Sequence, residues 1–436
     1  MHKQILRLAI PSIISNITVP LLGLVDVAIT GHMGEASYMA AIAVGSMVFN
    51  LIYWTFSFLR FGTGGLTAQE FGKAHTNVRG VAYILLRSQT ISIILALCLL
   101  AFQTPLFDAA MWVIEPEEYL VDVIRTYYSI CIWGTIPSLA LYSFTGWFVG
   151  MQNTKLPMVI SITQNVINIL LSYFFVYVLQ MKIEGVALGT LIAQWCGALM
   201  SLLLMVWKYK KVWTGVSVFS PLFKRGWSRF LEINRTLFFR TLFLVAVNLY
   251  FIVAGAKGGA VILAVNSVLM QMFILFSYIM DGFAFAAEAL CGRYYGARDA
   301  DSFRKTMRGI WQLSLMLTAI YTAAYAFGGD FFLSVLTDDA SIRSAAADYM
   351  PWAIAIPVCS VVAFVLDGVF VGVTNSVGML CGTAVGAMTF FLIYFCMYGT
   401  MQNHAMWLAF NAYLMMRGVT QLVIWHRMKS QLLSPL

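Results

Sequence analysis

Unbroken apolar runs of about twenty residues or more, repeated from one end of the chain to the other, leave very few folds open. Hydrocarbon gives backbone amides no hydrogen-bond partner, so whatever crosses it must be a helix or a closed barrel of strands. Runs this long choose helices. Only 11% of the residues are charged against 61% hydrophobic, whereas an ordinary soluble domain carries about 25% charged residues. Hydropathy predicts helices near 7–31, 36–70, 78–103, 119–149, 155–179, 183–208, 233–256, 260–293, 302–328, 341–372, 378–399 and 405–426. The first apolar stretch runs on through Pro11 and Pro20 as a full span, unlike a cleavable signal.

The net charge of +8 is concentrated in short loops rather than on a face suited to nucleic acid. Even-to-odd connections hold Lys73, Arg79, Lys155, the run Lys208, Lys210, Lys211, Lys224, Arg225 and Arg229, and then Arg293, Arg298, Arg304, Lys305 and Arg308. Odd-to-even connections hold Glu35, Asp108, Glu115, Glu117, Glu118, Asp330, Asp338 and Asp339. Because basic residues stay inside, both termini are expected in the cytoplasm, with the chain in a plasma membrane, the inner one in a Gram-negative bacterium. Seven cysteines lie in apolar runs without CxxC spacing or a histidine cluster, and read as small core hydrophobes. No cofactor, resident metal or nucleic-acid partner is expected, and a monomer is.

The chain repeats itself. A shift of 224 lays Gly31 and Gly34 over Gly255 and Gly258, Phe49 over Phe273 and Gly72 over Gly296; a shift of 222 lays Gly146, Gly150 and Asn153 over Gly368, Gly372 and Asn375. Both pair a helix with the one six later. The expected architecture is an all-α polytopic membrane protein whose twelve transmembrane helices form two pseudo-symmetric six-helix bundles, a repeat type found in transporters. The polar segment 209–232 would join an N-terminal lobe, 1–208, to a C-terminal lobe, 233–436.

A carboxylate at the bilayer centre costs about 2.5–3.5 kcal/mol even on the mild insertion scale, so one found there must face protein or water. Asp26 is such a residue, and an aspartate in a sealed cavity is a natural proton carrier; a structural bond to a kinked helix is the alternative. On the fifth helix Ser161, Gln164, Asn165, Asn168 and Ser172 fall on one face, expected to look toward Asp26 or a cavity. Thr190 and Gln194 make a smaller polar face on the sixth helix. The eighth helix carries Ser267, Gln271, Tyr278, Asp281 and Glu288, and the tenth carries Asp367, a candidate for ion coupling, substrate contact or a helix interface. Arg60 could pair with Asp281 or Glu288, while Glu70, Arg87 and Arg417 are expected to snorkel to the inner surface.

Four stretches resemble the DinF branch of the MATE family: Leu6 to Asp26 with Gly31 and His32; Thr63 to Gly72; Asp281 to Glu288 with the following run to Gly296; and Leu366 to Gly372. The resemblance implies a V-shaped pair of lobes that exports amphipathic, often cationic compounds in exchange for inward H+ or Na+. It also implies a coupling site made by the first-helix aspartate, an Asn-x-x-x-Asp on the fifth helix and a threonine on the sixth. Asp26 and Thr190 match the first and third. The fifth helix reads Asn168 to Ser172, with serine where the second acid would stand, which favours H+ over Na+.

No HExxH, mid-membrane serine–histidine pair or GxGD-like aspartate pair supports an enzyme. A lipid-linked oligosaccharide flippase of the same broad superfamily is the main rival, and would hold an anionic head group with several cavity arginines. Arg60 and Arg240 are the candidates for that task.

Overall fold

A computed structural model describes residues 1–31, 36–73, 78–214, 216 and 226–432; the side chains of 19–28, 30, 36, 78 and 429–432 lie outside the described set. The elements are α1 (His2–Gly31), α2 (Ala36–Phe56), α3 (Phe58–Gly72), α4 (Val78–Ala101), α5 (Gln103–Ile114), α6 (Glu118–Cys131), α7 (Thr135–Gly150), α8 (Lys155–Tyr173) and α9 (Ile183–Lys208). They continue with α10 (Lys210–Trp213), α11 (Trp227–Lys257), α12 (Ala260–Gly296), α13 (Ala300–Leu336), α14 (Ala340–Gly372), α15 (Ser376–Met401) and α16 (Asn403–Leu432). Among the described residues nine helical spans are long and apolar enough to cross a bilayer. The other three expected crossings are also helical: α1, α16, and α6 joined to α7 through a 3-10 turn at Ile132–Gly134.

Three local features depart from the hydropathy reading. The second crossing is α2 followed by α3, broken at Ser57. The third connection contains α5, whose 12 residues are too few to span a bilayer and which leaves Trp112 and Val113 exposed. And α11 starts at Trp227 rather than 233, because Phe230, Ile233 and Leu237 make one buried stripe that extends the helix into the expected linker.

The chain forms two compact units. Ile14–Phe230 make the first, and Leu231–Leu436 together with Met1–Ile13 make the second. The start of α1 therefore packs with the later helices. Ile5 and Ala9 are fully buried, Gly282 of α12 lies against Ala9 and Ile13, and His2 Nε2 is hydrogen-bonded to Gln312 Oε1 of α13 at 2.9 Å.

The sequence repeat becomes a packing repeat. In the first unit, α7 rests on α3: a Cβ at Gly146 would strike the Arg60 carbonyl, and one at Gly150 would come within 2.7 Å of the Gly64 carbonyl. In the second unit, α14 rests on α12: a Cβ at Gly368 would strike the Ala284 carbonyl, and one at Gly372 would sit 2.8 Å from the Glu288 carbonyl. Positions 60 and 284, like 64 and 288, are related by the shift of 224, and the glycine pairs by 222. Small residues four apart let helix backbones approach, which is how helices associate where lipid is as apolar as leucine. The turn that follows repeats as well. Gln152 and Thr374 adopt φ of 61° and 57°, and the amides of Asn153 and Asn375 donate to the carbonyls of Phe148 and Phe370 at 2.9 and 2.8 Å.

Buried residues of the second unit gather around α14, the most enclosed of the spans, with Phe251, Leu269, Met272, Phe390 and Phe410 in its core. The first unit has separate clusters around Phe49, Tyr127 and Tyr128 and around Trp147, Phe148 and Leu85. Leu97, Leu203, Phe327, Phe331 and Phe395 point outward, an arrangement stable only against hydrocarbon.

Candidate functional site

In the first unit the polar stripe of α8 divides between two neighbours. Ser161 and Asn165 turn to α1: Asn165 Nδ2 donates to the Thr18 carbonyl at 2.9 Å, and the Thr18 and Ser161 hydroxyls lie 3.3 Å apart. Asn168 and Ser172 turn to α9. Asn168 Nδ2 donates to Thr190 Oγ1 at 2.9 Å, and Thr190 in turn donates to the Val186 carbonyl. Gly189 makes this approach feasible, since any Cβ there would strike Ser172. Gln164 lies beside Gly197 of α9 in the same way.

The Asp26 side chain lies outside the described residues, but its level on α1 is fixed by the backbone. Asn165 bonds to Thr18 and Tyr177 to Ile29, pairs separated by 147 and 148 positions. Parallel helices in that register put position 26 level with residues 173 and 174, immediately beyond Ser172. Asn168 and Ser172 are 1% and 0% exposed, yet Asn168 Oδ1 and Ser172 Oγ have no hydrogen-bond partner among the described residues. Buried orphan oxygens are rare enough to require a reason. A π-helical turn, Phe174–Val178, follows at once and rotates the chain so that Tyr177 reaches α1; such turns recur at functional sites.

The second unit is built differently. Asp367 of α14 accepts from Arg240 of α11 at 2.7 Å, from Arg417 of α16 in a short ion pair, and from Gln421 Nε2 at 2.6 Å. All four residues are buried. Arg417 thus does not snorkel to the surface: Gly382 and Gly386 of α15 draw α16 so close that Arg417 and Gln421 are held inside the unit, against Asp367. The carboxylate is already met by two guanidinium groups, and a bound cation there would be repelled by both. The sequence signal for this cluster is Tyr413, Arg417 and Gln421 at four-residue steps on an otherwise apolar helix.

The stripe on α12 does not share one environment. Glu288 is buried and Asp281 half-buried, while Gln271 is exposed and Ser267 bonds back to its own helix at the Leu263 carbonyl. Arg60 is buried in the first unit, its guanidinium over the Phe61 ring, whereas Asp281 and Glu288 belong to the second. Among the described residues no group of three or more His, Cys, Asp or Glu could hold a metal ion.

Comparison with known proteins identifies the fold and the family. The chain is 34% identical to DNA damage-inducible protein F of Escherichia coli (strain K12) over 98% of its length and 92% of that protein's. It is 24% identical to the probable multidrug resistance protein NorM of Photorhabdus laumondii, covering 77% of this chain and 74% of that one. A solved structure of MATE in the bent conformation superposes with a TM-score of 0.86 at 18% identity, covering 99% of this chain and 96% of that one. The MatE family model matches residues 11–174 and 237–395, one segment for each copy of the internal repeat. A repeat matched twice, in a chain whose fold and full length follow known members, makes this protein a member of the MatE family.

Proposed function

We propose that this chain is an antiporter that exports amphipathic organic compounds, cations among them, in exchange for inward protons by alternating access. Multidrug resistance and extrusion proteins among its relatives support the export. The observation that carries the choice of ion is the make-up of the α1–α8–α9 site. Two buried orphan oxygens lie on that stretch of α8, Ser172 Oγ at the level of the one acid on α1 and Asn168 Oδ1 one turn before it, and residues 161–177 contribute no second carboxylate. A hard cation gains affinity from several oxygens and from ligand charge. A proton needs one acid, with neighbours that bond whichever form it takes. Asp26 is then the proton carrier, and Asn168, Ser172 and Thr190 orient it. Asp367 is assigned to holding α11, α14 and α16 together. The flippase alternative gains nothing from Arg240 and Arg417, because both guanidinium groups are spent on Asp367.

Ethidium efflux from proteoliposomes under separately imposed pH and Na+ gradients tests this reading. A pH gradient in Na+-free buffer should drive efflux, and Asp26→Asn should abolish it while the protein still inserts. An absolute Na+ requirement at constant pH would refute proton coupling.

A further inference from the structure

Within the second unit the start of α1 lies along α13. The Thr306 hydroxyl donates to Met1 Sδ at 3.3 Å, and Ile5 lies against Gly309, whose missing side chain lets the two helices approach. The order of those contacts makes α1 and α13 parallel. His2 and Gln312, hydrogen-bonded to each other and both exposed, form the floor of the groove between them.

Helical spacing builds a wall on either side of that floor. On α13, Lys305, Arg308, Gln312, Leu315 and Met316 follow i, i+3, i+7, i+10 and i+11, and all are exposed. On α1, Lys3, Leu6 and Ile10 follow i, i+3 and i+7 beside His2; Lys3 and Ile10 are exposed and Leu6 is half-buried. Each wall therefore changes from basic to apolar in the same direction. The two acids at the head of α13 are engaged: Asp301 pairs with Arg304 at 3.7 Å, and Asp299, which Lys305 also faces, caps the helix through Ser302. Among the described residues Lys3, Lys305 and Arg308 form no salt bridge.

Orientation in a membrane asks only for basic residues near the ends of spans, whatever face they take. Here they share the two walls of one groove, at the head of an apolar track. The repeat does not demand them either, since either shift lays Lys305 and Arg308 over positions within 81–86 of α4, which hold Val81, Ala82, Tyr83, Ile84, Leu85 and Leu86. A soluble anion would use the basic end and leave the track bare. A lipid with an acidic head group uses both.

We propose that the α1–α13 groove binds an anionic phospholipid of the surrounding membrane, with its phosphate held by Lys3, Lys305 and Arg308 and an acyl chain laid along Ile10, Leu315 and Met316. Such a lipid bridges two helices of the second unit. It fastens the start of α1 there, while the rest of α1 from Ile14 onward, with position 26, belongs to the first unit. The site does not depend on which ion or substrate is transported.

Each basic residue beside an anionic lipid is worth about fivefold in affinity. Lys305→Gln combined with Arg308→Gln should therefore weaken binding of phosphatidylglycerol by about 25-fold, as read by native mass spectrometry of the full chain in detergent. Lys210→Gln combined with Lys211→Gln removes the same charge from α10 and should leave that binding within about twofold of wild type. All four residues are exposed, so the fold is kept. Phosphatidylethanolamine, which has no net charge, should bind wild type much more weakly than phosphatidylglycerol, and inorganic phosphate should not compete. Phosphatidylglycerol should also slow amide exchange across residues 1–13 in wild type and not in the Lys305/Arg308 variant. Equal loss of binding in the two double variants overturns the site, as does phosphatidylethanolamine bound as tightly as phosphatidylglycerol. Displacement of phosphatidylglycerol by inorganic phosphate overturns the lipid in favour of a soluble anion, and unchanged exchange across residues 1–13 overturns the fastening of α1.

Discussion

The two units share a joint and differ in what surrounds it. At the equivalent positions where the fourth helix of each unit crosses the second, the first unit has Arg60 and Gly64, and the second has Ala284 and Glu288. Only the carbonyls and the opposing glycines are needed for the crossing, so the side chains have been free to diverge. Beside Arg60, the first unit buries neutral oxygens: Asn168 and Ser172 on α8, and the mutually bonded hydroxyls of Thr63, Ser88, Ser143 and Ser92. The second buries paired charge, Asp367 between Arg240 and Arg417. Neutral oxygens near one acid can answer a change in protonation, whereas a carboxylate bound by two guanidinium groups cannot. The shared backbone plan is therefore a scaffold, and the two units differ in side chains that the scaffold does not constrain.

That contrast can be broken in three places. The largest effect is expected for Asp367→Asn, which leaves two buried guanidinium groups without their carboxylate. Removing one partner of a buried ion pair costs about 3–5 kcal/mol. Thermal unfolding in detergent should show a large drop, while the pH dependence of ethidium efflux by the folded remainder stays that of wild type. A changed pH dependence with undiminished stability would return Asp367 to the coupling site.

A smaller effect, and an equal one in both units, is expected for Gly146→Leu and Gly368→Leu. Each forces a side chain into a backbone carbonyl, an overpacking that costs about 1–3 kcal/mol. Unfolding midpoints of the two variants should fall together. If only one falls, the crossing is not the common element that the repeat makes it.

The smallest effect belongs to the surface of the second unit. Asp299 caps α13 by accepting from the Ser302 amide at 3.0 Å, and its bonds to Ser302 hold its carboxyl below the usual carboxylate range. Asp299→Ala should cost about 1 kcal/mol, as for other Asx caps. Because the carboxyl is more acidic folded than unfolded, this stabilisation is present at neutral pH and is lost as pH falls through the folded value. The difference between wild type and Asp299→Ala in urea titrations should therefore shrink in acid; a gap that stays constant would mean that the carboxylate charge contributes nothing.

Helix positions were legible because length and hydrophobicity alone decide what can cross a bilayer, and the repeat was legible because its glycines are fixed by backbone approach. The break at Ser57, the early start of α11 and the added helix α5 were not, since each depends on tertiary packing rather than on a window of hydropathy. On α8 the polar spacing located a face correctly as a face. It could not divide that face between α1 and α9, because both neighbours lie within one turn's rotation. Asp367, Arg240 and Arg417 stood in the sequence 127 and 50 positions apart, on three helices. Nothing local links them, and only the step of four from Tyr413 to Gln421 marked one side of the cluster.

The packing of Met1–Ile13 on the second unit has a consequence for how the protein is made. His2 finds Gln312, a residue synthesised 310 positions later. At about 5–20 residues per second, the start of α1 waits roughly 15–60 s for its partner to emerge. Once Phe230 has been made the first unit has every helix it needs, while Ile5 and Ala9 still wait for α12 and α13. The second unit closes only when the newest part of the chain reaches the oldest, so a truncated or stalled chain leaves that end of α1 open to proteolysis while the first unit is already folded.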